Sequence, residues 1–220
     1  MLEDFNSQKT KALIISNTAY IDNVIKFNDE QVEIVECHKH LGVTFSSGGK
    51  WTNHINNIIE SSMKQINALR KLKYILSSKS MSNIYLTFIR LLLEYACEDW
   101  DGCCEREIER LEKVQLEAAR IVTGLTKFAS RESLCFETVW ETLTERRKNR
   151  KLCIFYKMHN DICPQYLSDC LPSLVSNVSG YNLRNNDNYL TIRPRLNVYA
   201  ISFVASTISL WYNLSGVHQH

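Results

Sequence analysis

The hydrophobic period of this chain changes sharply between residues 32 and 76, and that change limits what the chain can build. Val32, Ile34 and Glu36 alternate with Glu33, Val35 and Cys37, the two-residue period of a strand. Gly42 falls inside the same strand pattern, where a missing side chain reads as a bulge or a close backbone approach. Gly48 and Gly49 then let the backbone turn. From Trp51 onward Ile55, Ile58, Ile59, Ile66, Leu69, Leu72 and Leu76 follow a helical stripe. On the opposite face Asn53, Asn57, Glu60, Lys64, Asn67 and Lys71 recur at spacings of four and three. Amides and ammonium groups with one carboxylate make a surface suited to phosphates.

Upstream, residues 9–16 and 21–27 read as two further short strands, with Asn28-Asp29 as a turn before Val32. Three strands in so short a span form an antiparallel set too small to stand comfortably alone. Downstream, a second helix is expected to run from Ser80 to about Trp100, with Ile84, Phe88, Leu91, Leu92 and Tyr95 as its apolar stripe. A third carries Ile108, Leu111, Val114, Ala118 and Ile121 inward and ends on Gly124, with Glu105, Glu109 and Glu112 outward. Thr142 and Glu145 have capping-box spacing for a helix reaching about Asn160. Residues 174–188 are polar and rich in Gly and Asn, a loop. A last helix over residues 200–212 docks through Ile201, Val204, Ile208 and Trp211. The fold class is therefore α+β, mainly α.

Charge is strongly segregated although the formal net charge is only +2. Residues 1–49 carry −3, residues 50–93 carry +6, residues 94–145 carry −7 and residues 146–195 carry +6. A polyanion is drawn to the two basic blocks. In the second of them Arg146, Arg147 and Arg150 lie together on the side of their helix opposite Leu152, Phe155 and Tyr156. The acidic run Glu94, Glu98, Asp99 and Asp101 reads as a solvated surface at a helix end.

Eight cysteines sit in no framework, so reduced thiols and a cytoplasmic or nuclear setting are expected. The first residues form no signal peptide. Residues 196–217 lack Asp, Glu, Lys and Arg, but recurrent Ser, Thr and Asn make them a core helix rather than a membrane span. His38 and His40 project from one strand face without a third ligand beside them. Cys153, His159, Cys163 and Cys170 match no zinc spacing. No Gly-rich phosphate loop, Ser-His-Asp arrangement or HExxH motif is legible, and no small-molecule partner is expected.

The run His38-Lys39-His40-Leu41-Gly42-Val43, followed by Trp51-x-x-His54-Ile55 and Leu69-Arg70-x-Leu72-Lys73, resembles reverse transcriptases of non-LTR retrotransposons, the jockey-like branch especially. Ile84-Tyr85-x-x-Phe88-Ile89-Arg90-x-x-Leu93-Glu94-Tyr95-Ala96 and Leu111-Glu112-x-Val114-Gln115-x-x-Ala118-Ala119-Arg120-Ile121 continue the likeness, as does Trp140-x-x-Leu143-x-x-Arg146-Arg147. Phe5-Asn6-x-x-Lys9-Thr10-Lys11 extends it upstream, with Lys9 or Lys11 placed near an incoming nucleotide.

The resemblance implies three parts. Residues 1–49 are a palm remnant with a primer-grip-like strand. Residues 50–128 are a helical thumb, and residues 129–220 are a C-terminal helical extension. His38, Lys39, His40, Leu41 and Gly42 are then expected at the primer, with Asn57, Lys64, Asn67, Lys71, Arg146, Arg147 and Arg150 along an RNA or DNA template–primer duplex. The family's magnesium-binding aspartates would precede residue 1, so this chain alone is expected to be inactive and to hold no cofactor. The alternative is a domesticated or decayed helical protein-interaction module without nucleic-acid function.

Overall fold

The computed structural model describes residues 10–15, 24–27, 30–178, 188–190, 192–193, 195 and 197–215. Lys9, the Phe5-Asn6 part of the motif and residues 179–187 of the expected loop lie outside the described residues. The chain is α+β and mainly α. It divides into two compact units that interleave in sequence: residues 1–93 with 103–124, and residues 94–102 with 125–220. Cuts at residues 49 and 128 would not separate them, because the short segment 94–102 belongs with the second unit.

In the first unit the strands are shorter than their alternation suggests. β1 (Lys11–Ala12) pairs with β4 (Glu33–Ile34), while β2 (Lys26–Phe27) pairs with β3 (Glu30–Gln31). The β1–β4 pair is parallel, so the expected wholly antiparallel set is corrected. β5 (Cys37–His40) and β6 (Val43–Ser46) form an antiparallel hairpin in which His40 pairs with Val43. That pairing leaves Leu41 and Gly42 as the entire turn. Gly42 is therefore neither a bulge nor a mid-strand residue. Both turn residues have positive φ, 45° and 88°, as the tight hairpin turn matching strand twist demands. Gly42 meets that demand without cost, whereas Leu41 does not.

α1 (Thr52–Leu72) buries His54, Ile55, Ile58, Ser62, Ile66 and Leu69, chiefly against α5 (Glu105–Thr123). Each fully buried Ile or Leu there contributes about 1.5–3 kcal/mol. α5 offers Leu111, Val114, Ala118 and Ile121 as expected and ends on Gly124 in the left-handed region. Glu112, expected to face outward, is buried together with Glu107 and Gln115. Glu107 accepts a hydrogen bond from the Cys104 backbone N–H at 3.1 Å, capping the helix. Gln115 accepts one from the Tyr85 hydroxyl at 2.7 Å.

The helix between them begins as α2 (Ser78–Ile84), passes through a π-helical turn at Tyr85–Ile89 and continues as α3 (Arg90–Glu94). Its buried apolar residues are Met81, Tyr85, Ile89 and Leu93, and this overturns the expected stripe. A strict spacing of four drifts round a regular 3.6-residue helix. The wider π turn takes up that drift and holds all four on one side. Phe88, Leu91, Leu92 and Tyr95, which match the regular period better, are exposed instead.

The second unit contains α4 (Cys97–Trp100), α6 (Arg131–Thr138), α7 (Leu143–His159), α8 (Gln165–Ser168), α9 (Val175–Val178), α10 (Asn197–Ala200) and α11 (Phe203–Ser215). Thr142 caps α7 as its spacing predicts, accepting the Glu145 N–H at 3.1 Å. Phe155, Tyr189 and Ile208 form the core, with Val204, Trp211 and Tyr212 packed round them. Ile201 is not part of that docking. It precedes α11, and its carbonyl would stand 2.9 Å from any Cβ at Gly102, so glycine is required there. Among the described residues no helix is long and apolar enough to cross a membrane.

The hairpin yields a first prediction. Leu41→Asn gives the left-handed position a residue that tolerates it and removes an exposed apolar side chain. Urea unfolding should register about 0.5–1 kcal/mol of added stability, and Gly42→Val a loss of similar size or larger.

Candidate nucleic-acid interface

Alternation along the hairpin places Cys37, Lys39, Thr44 and Ser46 on one face and His38, His40, Val43 and Phe45 on the other. The first face meets the start of α1. Asn53 Nδ2 donates to Cys37 Sγ at 3.0 Å, and Asn57 Nδ2 donates to Thr44 Oγ1 at 3.3 Å. The Thr44 N–H donates to Nδ1 of buried His54 at 3.2 Å. An accepting nitrogen requires the neutral imidazole. Burial, and after it the charge of Lys39, holds the His54 pKa below its usual value in the same sense. His54, present in the Trp51-x-x-His54-Ile55 motif without an assigned role, is thus a positioning residue. Its place beside Ile55 and four before Ile58, on the helix's apolar face, was the available signal.

On the other face the His38 and His40 rings stack with centroids 6.5 Å apart, as residues two apart on a strand should. His38, Lys39, His40, Leu41 and Gly42 are all exposed. Asn53, Asn57, Glu60, Lys64, Asn67 and Lys71 are exposed as well, so the polar stripe of α1 runs unbroken to the edge of the hairpin. Lys64 pairs with Glu60 at 2.7 Å, one turn apart. That carboxyl titrates below its usual value because of the hydrogen bond and charge of Lys64. So exposed a pair opens cheaply to a stronger anion. Asn67 Oδ1 accepts from Arg70 Nη1 at 2.7 Å, while Arg70 Nη2 reaches Glu117 at 2.7 Å. Lys71 has no carboxylate partner among the described residues.

The second expected surface is corrected. Arg146, Arg147 and Arg150 do not form an open basic face, because the carboxylates of the segment before α5 occupy them. Glu94, only 2% exposed, accepts a bidentate pair from Arg146, from Nε to one carboxylate oxygen and from Nη2 to the other at 3.0 Å. Arg147, 1% exposed, donates from Nε to Asp101 at 2.8 Å and lies over the Trp100 ring. Lys151, also buried, reaches the other Asp101 oxygen at 2.8 Å and Ser206 Oγ at 2.9 Å. Arg150 donates to Glu98 at 2.8 Å. Burial opposes the Arg150 charge, but the Glu98 hydrogen bond and the neighbouring negative groups raise its pKa nonetheless.

The acidic run is therefore not a solvated helix end. A carboxylate as buried as Glu94 must be paired to remain charged. Asp99, by contrast, titrates above the ordinary carboxylate range through burial and then through the charge of Glu98. Among the described residues no group of three or more His, Cys, Asp or Glu side chains is arranged to hold a metal ion.

No family model matches the chain, and neither a characterised protein nor a solved structure shows significant similarity to it.

Two predictions concern the buried pairs. Asp101→Asn leaves Arg147 and Lys151 buried without a counter-charge, and should lower unfolding stability by about 3–5 kcal/mol. Glu98→Gln, whose partner Arg150 is 42% exposed, should cost about 0–1 kcal/mol in the same urea titration.

Cys97 lies in this segment with its thiol pushed up to about 12, by burial first and then by the charge of Glu98. At pH 8 iodoacetamide should modify exposed Cys37, Cys104, Cys153 and Cys170 while native Cys97 stays unmodified. Above its ordinary value of 9.0 the unfolded thiol ionises while the folded one keeps its proton. Stability should therefore fall as pH rises from about 9 to 12, and Cys97→Ala should lessen the fall.

Proposed function

We propose that this chain grips a nucleic-acid duplex through the β5–β6 hairpin and the polar face of α1, in the manner of a primer grip and thumb. The resemblance to non-LTR reverse transcriptases names the partner, an RNA or DNA template–primer duplex. The supporting observation is the unbroken exposed stripe formed by Asn57, Lys64, Asn67 and Lys71 beside Lys39 of the hairpin. Amide and ammonium donors at helical spacing suit successive phosphates and carry no information about base sequence. The hairpin presents His38 and His40 at the end of that stripe, where a primer strand would meet exposed rings and backbone. The role is one of holding and positioning, without chemistry of its own.

Arg146, Arg147 and Arg150 are left out of this grip, since their charges are engaged by Glu94, Glu98 and Asp101. A cytoplasmic or nuclear setting accords with eight free cysteines.

The test is binding of a fluorescent RNA–DNA duplex across a salt series. Wild-type affinity should fall steeply with salt, because phosphate contacts release counterions. Lys64→Ala with Lys71→Ala should weaken binding and flatten the log–log salt slope by roughly one unit per lost contact. Helix content should stay unchanged, since both side chains face solvent. Lys148→Ala with Lys157→Ala removes the same charge from α7 and should leave binding unaltered. Equal losses in the two double variants would mean that only net charge matters, and would refute the grip.

A further inference from the structure

The face that α2 and α3 turn outward is unlike the rest of the first unit. Phe88, Leu91 and Leu92 are 67%, 58% and 37% exposed, and the turn leading into α2 exposes Tyr74 and Ile75 as well. Isolated exposed apolar side chains are common, but a helical stripe of them marks an interaction surface. The charged side chains of this segment itself all have one sign. No Asp or Glu occurs between residues 70 and 93, and Lys73, Lys79 and Arg90 have no carboxylate partner among the described residues.

We infer that this face docks an amphipathic helix of acidic character from a partner protein. Ile84, Phe88 and Leu91 follow at spacings of four and three, the seam that interleaves with the side chains of a second helix. Half-buried Ile84 closes one end of that seam. The surrounding cations favour glutamates and aspartates flanking the partner's apolar stripe. They also disfavour a second copy of this chain, which would set cation against cation. A nucleic acid would gain little, because aliphatic Leu91, Leu92 and Ile75 offer its phosphates no donor. The π turn at Tyr85–Ile89 is the device that creates the face, since it commits Tyr85 and Ile89 to the core and leaves Phe88 and Leu91 outside. This surface is distinct from the polar stripe of α1, so the inference stands or falls apart from the duplex grip.

The experiment titrates the full chain into two labelled helical peptides, one with Leu along one face and Glu at its edges, the other with Lys replacing every Glu. The acidic peptide should bind at least tenfold more tightly, with a preference that weakens in salt. Phe88→Ser with Leu91→Ser should abolish binding while circular dichroism and duplex binding stay as in wild type. Lys79→Glu with Arg90→Glu should reverse the preference toward the lysine peptide, a result that mere loss of folding could not give. Equal affinity for the two peptides would overturn the inference. So would displacement of the acidic peptide by phosphatidylserine vesicles or by single-stranded RNA, which would assign the face to a membrane or a nucleic acid. A sedimenting dimer dispersed by Phe88→Ser with Leu91→Ser would equally overturn it, in favour of a second copy.

Discussion

Burial of the apolar side of α1 against α5 is the constraint on which the first unit depends. Ile55, Ile66 and Leu69 are essentially removed from water, and Leu111 and Ala118 complete the seam. Once that side is committed, the rotation of α1 is settled, and Lys64, Asn67 and Lys71 are turned toward solvent, with Asn57 at the edge of the hairpin. The polar stripe is thus a by-product of hydrophobic burial. The hairpin then adds a direction. It docks on the first turns of the helix through Asn53, His54 and Asn57, so its tip continues the stripe.

The second unit is organised differently, around charge. Four cations of α7 and three carboxylates of the segment 94–101 neutralise one another, with Asp101 shared by Arg147 and Lys151. Buried pairs of this kind add little net stability, because desolvation consumes most of the attraction, but losing one member is costly. Their effect is to fix which helix faces which. Gly102 and the carbonyl of Ile201 close the same neighbourhood at a distance that admits no side chain.

This neutralisation changes the meaning of the charge blocks. The acidic and basic runs suggest two surfaces for a polyanion, yet much of the second is consumed within the fold. Around α2 and α3 the reverse holds: cations remain without carboxylate partners and are accompanied by exposed Phe88, Leu91 and Leu92. Net charge along a sequence is therefore a poor guide to surface potential wherever oppositely charged helices pack together.

What the sequence determined by itself was local. It carried the start of α1, the bounds of α7, the Thr142 and Gly124 caps, the inward residues of α1 and most of α5, and the exposed stripe of α1, because each depends on periodicity or on chemistry within one turn. The tertiary structure alone decided the rest. It set the parallel pairing of β1 with β4, the burial of Glu94, Glu112 and Arg147, and the exposure of the stripe from Phe88 to Leu92. Each of these depends on which distant group arrives opposite. A glutamate has the same sequence signature whether it meets water or an arginine about fifty residues away. A helix with two apolar stripes does not announce which one a π turn will rotate into the core.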